Sequence, residues 1–240
     1  MAEKLKFLTA EWRNLIMANY EVPPDLMTEF LPHKTELDLF NSKCYVSLVG
    51  FMFLNTKILG LIPFPNHVNF EEVNLRFYVN HKRGNEIKRG VTFIKEIVPR
   101  TAIKLIANSL YSEKYDAMPM KHEWIEKSNE QKVSYSWKFN GNWNYIKADI
   151  DKGFFMAAEN SEEEFITEHY WGYTKVTDTK TSEYRVKHPK WRLHSVNTYE
   201  INCDFGKLYG ENFSFLNNAK PVSVFLAEGS EISVHQGSKV

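Results

Sequence analysis

Long stretches of the chain alternate apolar and polar residues with a period of two, as expected of strands whose successive side chains leave opposite faces. The clearest is "NFEEVNLRFYVNH", residues 69–81. Val73, Leu75, Phe77 and Val79 share one of its faces, while Glu72, Asn74, Arg76 and Tyr78 share the other, an unusually polar set for a central strand. "KRGVTFIKEIVP" pairs with it across a turn at Gly84 and Asn85. "KVSYSWKF" and "WNYIKADI" form a second hairpin, joined by Asn140, Gly141 and Asn142, and "TELDLF" with "KCYVSLVGFMFL" predicts a third. Shorter strands are expected in "AMPMKHEWIE", "TSEYRVKH", "RLHSVNTYEINCDF", "VSVFLA" and "EISV".

A helical period replaces the alternation at four places. "TAEWRNLIMANY", residues 9–20, sets Trp12, Leu15, Ile16 and Tyr20 on one face behind a Thr9 cap. "PPDLMTEFLP" starts and stops at prolines, and "RTAIKLIANSLY" places Ile103, Ile106, Ala107 and Leu110 on one face. "SEEEFITEHYWGYTKV" opens with Ser161 and Glu164 in capping-box spacing and passes from helix to strand near Tyr170. "LGLIPFPNH" reads as a loop, "FGKLYGENF" as turns and "HQGSKV" as a frayed tail. With no repeat, low-complexity tract or linker, the expected organisation is one α+β domain over residues 1–240, built on an extensive antiparallel sheet.

Composition changes this picture in two ways. Aromatic residues make up 15% of the 240, which gives the sheet a bulky interior. Lys plus Arg and Asp plus Glu each number 30, so there is no basic excess to release counterions from a polyanion, and nucleic acid is excluded as a main partner. Cys44 and Cys203 stand far apart, outside any zinc or redox spacing. No signal peptide is visible and no run nears the ~18 apolar residues of a membrane span, so no membrane is expected and the cytoplasm is the expected compartment.

The candidate chemistry is sparse. Eight histidines occur, but none forms a pair spaced to put two imidazoles on one metal, so no metal is expected. Nucleophile-elbow, phosphate-loop and dinucleotide motifs are absent, and no cofactor is implied. The Glu72, Asn74, Arg76, Tyr78 face either lines a barrel, where it would orient a small carboxylate or carbonyl compound, or is a solvated strand face. Lys121, in "YDAMPMKHEW", is either a surface lysine or an amine whose pKa burial or a nearby cation lowers enough to attack a carbonyl.

The segments "VPPDLMTEFLPHKTELDLFNSKCYVSLVGFMF", "NFEEVNLRFYV", "FITEHYWGYTKV", "HPKW" and "PVSVFLAEGSEISV" closely resemble the DUF2071 (YqjF-like) family of uncharacterised bacterial proteins, over nearly the whole chain. That family is more distantly similar to acetoacetate decarboxylase, which implies a curved antiparallel sheet closed into a cone or barrel with a few peripheral helices. The resemblance implies that the polar strand face looks inward, with Glu72 of "FEE" as an interior acid. It also implies a Pro followed by two lysines, the first forming an imine and the second depressing its pKa. Here Pro119 is followed by Met120 and Lys121, and methionine cannot form an imine. His169, Tyr170, Tyr173, His188 and Trp191, from the other family-like segments, are candidates for ligand binding, against a reading as aromatic core. Arg76 is the expected contact for an anion, unless Glu72 pairs with it.

Three functional readings follow. The first is a protein binding a small organic carboxylate or carbonyl ligand in a barrel. The second is a Schiff-base decarboxylase or lyase using Lys121 with Glu72. The third is a scaffold whose partner adds to an exposed sheet edge, and self-association remains open under each.

Overall fold

The computed structural model describes residues 6–59, 62–63, 68–99, 114–126 and 128–240. Strand β1 (Lys6–Val22) is followed by a short helix α1 (Pro24–Met27), a 3-10 turn, β2 (Glu36–Leu37), β3 (Cys44–Ile58), β4 (Ile62–Pro63), β5 (Phe70–Arg83) and β6 (Glu86–Val98). Next come β7 (Tyr115–Ala117), β8 (Met120–Glu126), β9 (Glu130–Phe139), β10 (Asn142–Asp151) and β11 (Phe155–Met156). Helix α2 (Glu162–Thr167), β12 (Trp171–Thr177), β13 (Lys180–Lys187), β14 (Arg192–Asn202), helix α3 (Phe205–Tyr209), β15 (Ser223–His235) and β16 (Ser238–Lys239) complete the chain. The expected helix in "RTAIKLIANSLY" lies outside the described residues. Among the described residues, no helix is long and apolar enough to cross a membrane.

The strands run in the order β13-β12-β6-β5-β3-β1-β15, and β15 returns to β13, closing a ring. From β15 the sheet continues through β14, β10, β9 and β8 as a second layer. The pairings are antiparallel except at β6, which runs parallel to β12, where Trp171 faces Gly90 and Gly172 faces Val91, and parallel to β7. The curved, closed antiparallel sheet expected from the sequence is therefore present.

Two cores separate the faces of the ring. Val73, Leu75, Phe77 and Val79 of β5 pack outward with Tyr135 and Trp137 of β9, while Phe51, Phe53 and Phe70 belong to the inner cluster with Tyr184 and Trp191. A strand covered on both faces keeps its alternation only if one face is polar, which is the pattern of β5.

The expected helix over residues 9–20 is instead part of β1. Its alternation is hidden because both faces are apolar and because a bulge at Asn14 (φ 52°), between Arg13 and Ile16 in the register, reverses which residues face inward. Ala10 lies in the inner core before the bulge, and Leu15 and Met17 after it, while Ile16, Ala18 and Tyr20 face the outer core. Asn140 (φ 47°) and Gly141 (φ 83°) make the two-residue turn between β9 and β10, with Phe139 paired to Asn142.

Other expectations are corrected. "TELDLF" does not form a hairpin with β3, because β2 pairs with β5 and Phe40 only bridges to Lys43. "LGLIPFPNH" contains the two residues of β4, which pair with the end of β3. "FGKLYGENF" is α3, capped by Asp204 Oδ1 accepting from the Lys207 amide at 3.2 Å, followed by a 3-10 helix. "VSVFLA" and "EISV" are one strand, continuous through Gly229 (φ 78°), where a Cβ would stand 2.0 Å from the Trp12 carbonyl oxygen. The tail is ordered, with Ser182 and Glu183 of β13 pairing with β16. Residues too short or too polar to show alternation are recruited here by a neighbour's open edge.

Candidate functional site

The ring encloses a cavity of about 130 Å³. At roughly 10–15 Å³ of such volume per water, this is room for about ten waters, or one small organic molecule. Each strand of the ring contributes to its wall, among them Trp12 from β1, Phe51 from β3, Arg76 from β5, Glu96 from β6, Trp171 from β12 and Tyr184 from β13. The inward polar face of β5 supplies Glu72, Asn74 and Arg76. All three are buried, at 2%, 1% and 8% exposure.

Their hydrogen bonds distinguish them. Asn74 Nδ2 donates to Glu72 Oε1 at 2.9 Å, and the Tyr115 hydroxyl donates to Glu72 Oε2 at 3.3 Å. Glu72 is thus engaged, and the pairing of Glu72 with Arg76 weighed from the sequence is not formed. Arg76 Nε has no hydrogen-bond partner, and among the described residues no carboxylate forms an ion pair with this guanidinium. Its Cζ lies 5.8 Å from the centroid of the Tyr78 ring. A buried cation without a counter-ion is costly, and this one belongs to a residue of the cavity wall.

Two histidines add to the polar part of the wall. His169 Nε2 lies 3.0 Å from Asp38 Oδ2, and Arg89 Nε donates to the same oxygen at 2.6 Å. Burial would raise the Asp38 carboxyl, but the bonds from His169 and Arg89 outweigh it and hold it below its ordinary range. Burial is also the main influence on His169 and lowers it to about 4, against the opposing pull of Asp38 and with help from the Arg89 and Arg76 charges. The imidazole is therefore neutral at pH 7. Asp38 can only accept, so the ring proton sits on Nε2, and Nδ1 keeps its lone pair, buried and without a partner.

His188 is stacked on Trp191, ring centroids 4.2 Å apart and planes 20° apart, with Tyr170 at 4.7 Å. Burial lowers its pKa to about 4; the Pro189 carbonyl 2.9 Å from Nδ1 opposes this and the Arg76 charge adds to it. Trp191 is fixed by its Nε1 donating to Ser230 Oγ at 2.9 Å.

Of the residues chosen from the sequence, Glu72, Asn74, Arg76, His169, His188 and Trp191 line the cavity together. Tyr78 does not; its hydroxyl is 2.7 Å from Ser47 Oγ, and its ring backs His169 at 4.8 Å. Tyr170 donates to Glu168 and braces His188 from behind. Tyr173 points at Glu183, 3.3 Å away, in a separate buried cluster, and burial followed by the Glu183 charge raises its pKa.

Lys121 takes the first of its two readings, a surface lysine. It is exposed on β8 in the second layer, paired with Ser136, with Nζ 4.6 Å over the Trp143 ring and no place in the cavity wall. Among the described residues no lysine lines the cavity, and no group of three His, Cys, Asp or Glu is arranged to hold a metal.

Sequence reading missed Glu96, Thr56, Tyr115 and Asp38. In β6 a register shift opposite Leu75 and Arg76 turns Glu96 inward, where strict alternation from Val91 and Phe93 would have placed Lys95. In β3 Asn55 (φ 53°) does the same for Thr56. A mid-strand asparagine, a residue type that tolerates positive φ, was the available signal at Asn14 and Asn55.

Comparison with known proteins follows the same line. A family model, DUF2071, described as an uncharacterized conserved protein, matches residues 9–231. The "Uncharacterized protein YqjF" of Bacillus subtilis (strain 168) is 27% identical over 197 residues, covering 78% of this chain and 77% of its own. Acetoacetate decarboxylase from Legionella pneumophila superposes with a TM-score of 0.66 at 12% identity, over 98% of this chain and 87% of that one. The enduracididine biosynthesis enzyme MppR, complexed with the condensation product of pyruvate and imidazole 4-carboxaldehyde, gives 0.68 at 10% identity, over 100% and 90%. At such identities the likeness to the solved structures is one of fold.

Proposed function

The chain belongs to the DUF2071 family, and from that premise we propose that it binds a small organic carboxylate non-covalently inside the ring, with Arg76 as the anion anchor. The observation that carries this reading is the guanidinium itself, buried in a cavity wall, its Nε without a partner and in no ion pair among the described residues. The remaining wall is largely aromatic and apolar, which suits a short hydrocarbon skeleton. MppR, of the same fold, has been crystallised with pyruvate, a ligand of this size and charge.

Imine chemistry through Lys121 has no support in this geometry, since the amine lies outside the cavity and none of the described lining residues is a lysine. The test is calorimetric titration of the protein with C3 to C6 carboxylates, beside the Arg76→Met variant. Binding to the wild type that weakens roughly a hundredfold in the variant is expected, the usual scale for losing a charge-assisted bond in a closed site. Equal binding by both proteins would sink the reading. Borohydride added with a keto acid should leave the intact mass unchanged.

A further inference from the structure

The residues of the cavity wall carry unpartnered polar atoms besides Arg76 Nε, and two of them are acceptors. Asn74 Nδ2 is committed to the carboxylate of Glu72, which can only accept, so the amide is oriented with Oδ1 free, and Oδ1 is buried without a partner. His169 Nδ1 is in the same condition, its tautomer fixed by Asp38 and Arg89 behind it. Arg76 and His169 flank the same Tyr78 ring, the guanidinium at 5.8 Å and the imidazole at 4.8 Å from its centroid, so anion anchor and acceptor share one corner of the cavity. His169 is 7% exposed, so bulk water does not readily satisfy Nδ1.

A plain carboxylate fills only the Arg76 half of this corner. A keto acid adds another acceptor, which would meet the His169 lone pair unfavourably. A hydroxyl beside the carboxylate supplies the missing donor, because its O–H can point at Nδ1 while the acid group meets the guanidinium. We infer that the ligand class is the 2-hydroxycarboxylates, selected over keto and unsubstituted acids by donation of the ligand hydroxyl to His169 Nδ1. This inference rests on the carboxylate reading above and refines it.

The probes are 2-hydroxyisovalerate, 2-oxoisovalerate and isovalerate, which share one carbon skeleton, titrated calorimetrically at pH 7. The wild type should prefer the hydroxy acid by at least about tenfold, the scale on which an unmade buried hydrogen bond discriminates. In His169→Gln the side-chain amide can keep its donation to Asp38 but presents no acceptor at the Nδ1 position, and the preference should fall to about unity. Equal, Arg76-dependent binding of all three acids overturns the assignment to His169 and leaves the anion anchor standing. Absence of Arg76-dependent binding for every acid overturns both. Should His169→Gln fail to fold, the wild-type imidazole decides the matter by ¹⁵N NMR. Its Nδ1 resonance should move on adding the hydroxy acid and stay with isovalerate, and an unmoved resonance in the hydroxy-acid complex rejects the hydrogen bond.

Discussion

Arg76 and Lys88 are buried cations on adjacent strands, each at 8% exposure, and the protein treats them in opposite ways. Lys88 Nζ lies 3.1 Å from Glu183 Oε1 and 4.0 Å over the Trp171 ring, and His81 Nδ1 and the Tyr173 hydroxyl reach the same carboxylate at 3.4 Å and 3.3 Å. Its charge is matched within the fold. Arg76 has aromatic walls and an unpartnered Nε. The contrast separates a charge matched within the fold from one that the proposed function assigns to a ligand. Desolvation is costly in both places, and among the described residues an ion-paired carboxylate offsets it at Lys88 and not at Arg76.

The strongest way to break the contrast is to make Lys88 resemble Arg76. Glu183→Gln should destabilise the protein by about 3–5 kcal/mol, because it leaves a lysine buried without its counter-ion, and a urea melt reads the loss. Substitution of both Lys88→Met and Glu183→Leu should recover much of it.

Acid sharpens the comparison from the side of the cavity. His169 titrates near 6.5 when unfolded and at about 4 when folded, so the unfolded state takes up the proton first as pH falls. Stability is complete above about 6.5 and is lost progressively between 6.5 and about 4, by roughly 3 kcal/mol for this residue. His188 acts in the same window with the same sign. Asp38, held low by its partners, adds its own loss at more acidic pH. Melts at a series of pH values should therefore decline between pH 6.5 and 4 in the wild type, and less steeply in His169→Gln.

Arg76→Met carries the smaller stability effect and the opposite sign to Glu183→Gln. The variant should be as stable as the wild type or up to about 1 kcal/mol more so, since an unmatched buried charge is removed. A thermal melt showing loss of several kcal/mol would mean that Arg76 is structural after all. Smallest of all should be Lys121→Ala, which removes an exposed contact with Trp143 and should change stability by less than about 1 kcal/mol and ligand affinity not at all.

The sequence allowed much of this contrast to be foreseen, and its failures share a cause. The polar face of β5 was readable because its alternation runs unbroken from Glu72 to Arg76 and the opposite face is apolar. His169, His188 and Trp191 were reached through resemblance rather than pattern, and three sheet seams had to form before they could meet Arg76. Glu96 and Thr56 were lost to bulges, each a single extra residue that exchanges the two faces of a strand. Lys88 and Glu183 sit far apart in sequence, and nothing local distinguishes them from surface charges. Lys121 stayed open between two readings because proximity to Pro119 carries no information about which layer of the sheet a strand joins.

The way the ring is closed has one more consequence. β1 is zipped to β15 from Lys6 opposite His235 to Asn19 opposite Ser223, whereas among the described residues the backbone of the β12–β13 hairpin pairs with β6 through Trp171 with Gly90 and Gly172 with Val91, and with β15 through Val186 with Val234 and Lys187 with Ser233. Like the least-nailed stave in a barrel, it is the part of the ring expected to open first, and the Lys88–Glu183 bridge is the hasp across its seam with β6. Amide exchange at Trp171 and Gly172 should then run far ahead of exchange in β1 and β3, and a molecule of the cavity's size could pass without global unfolding.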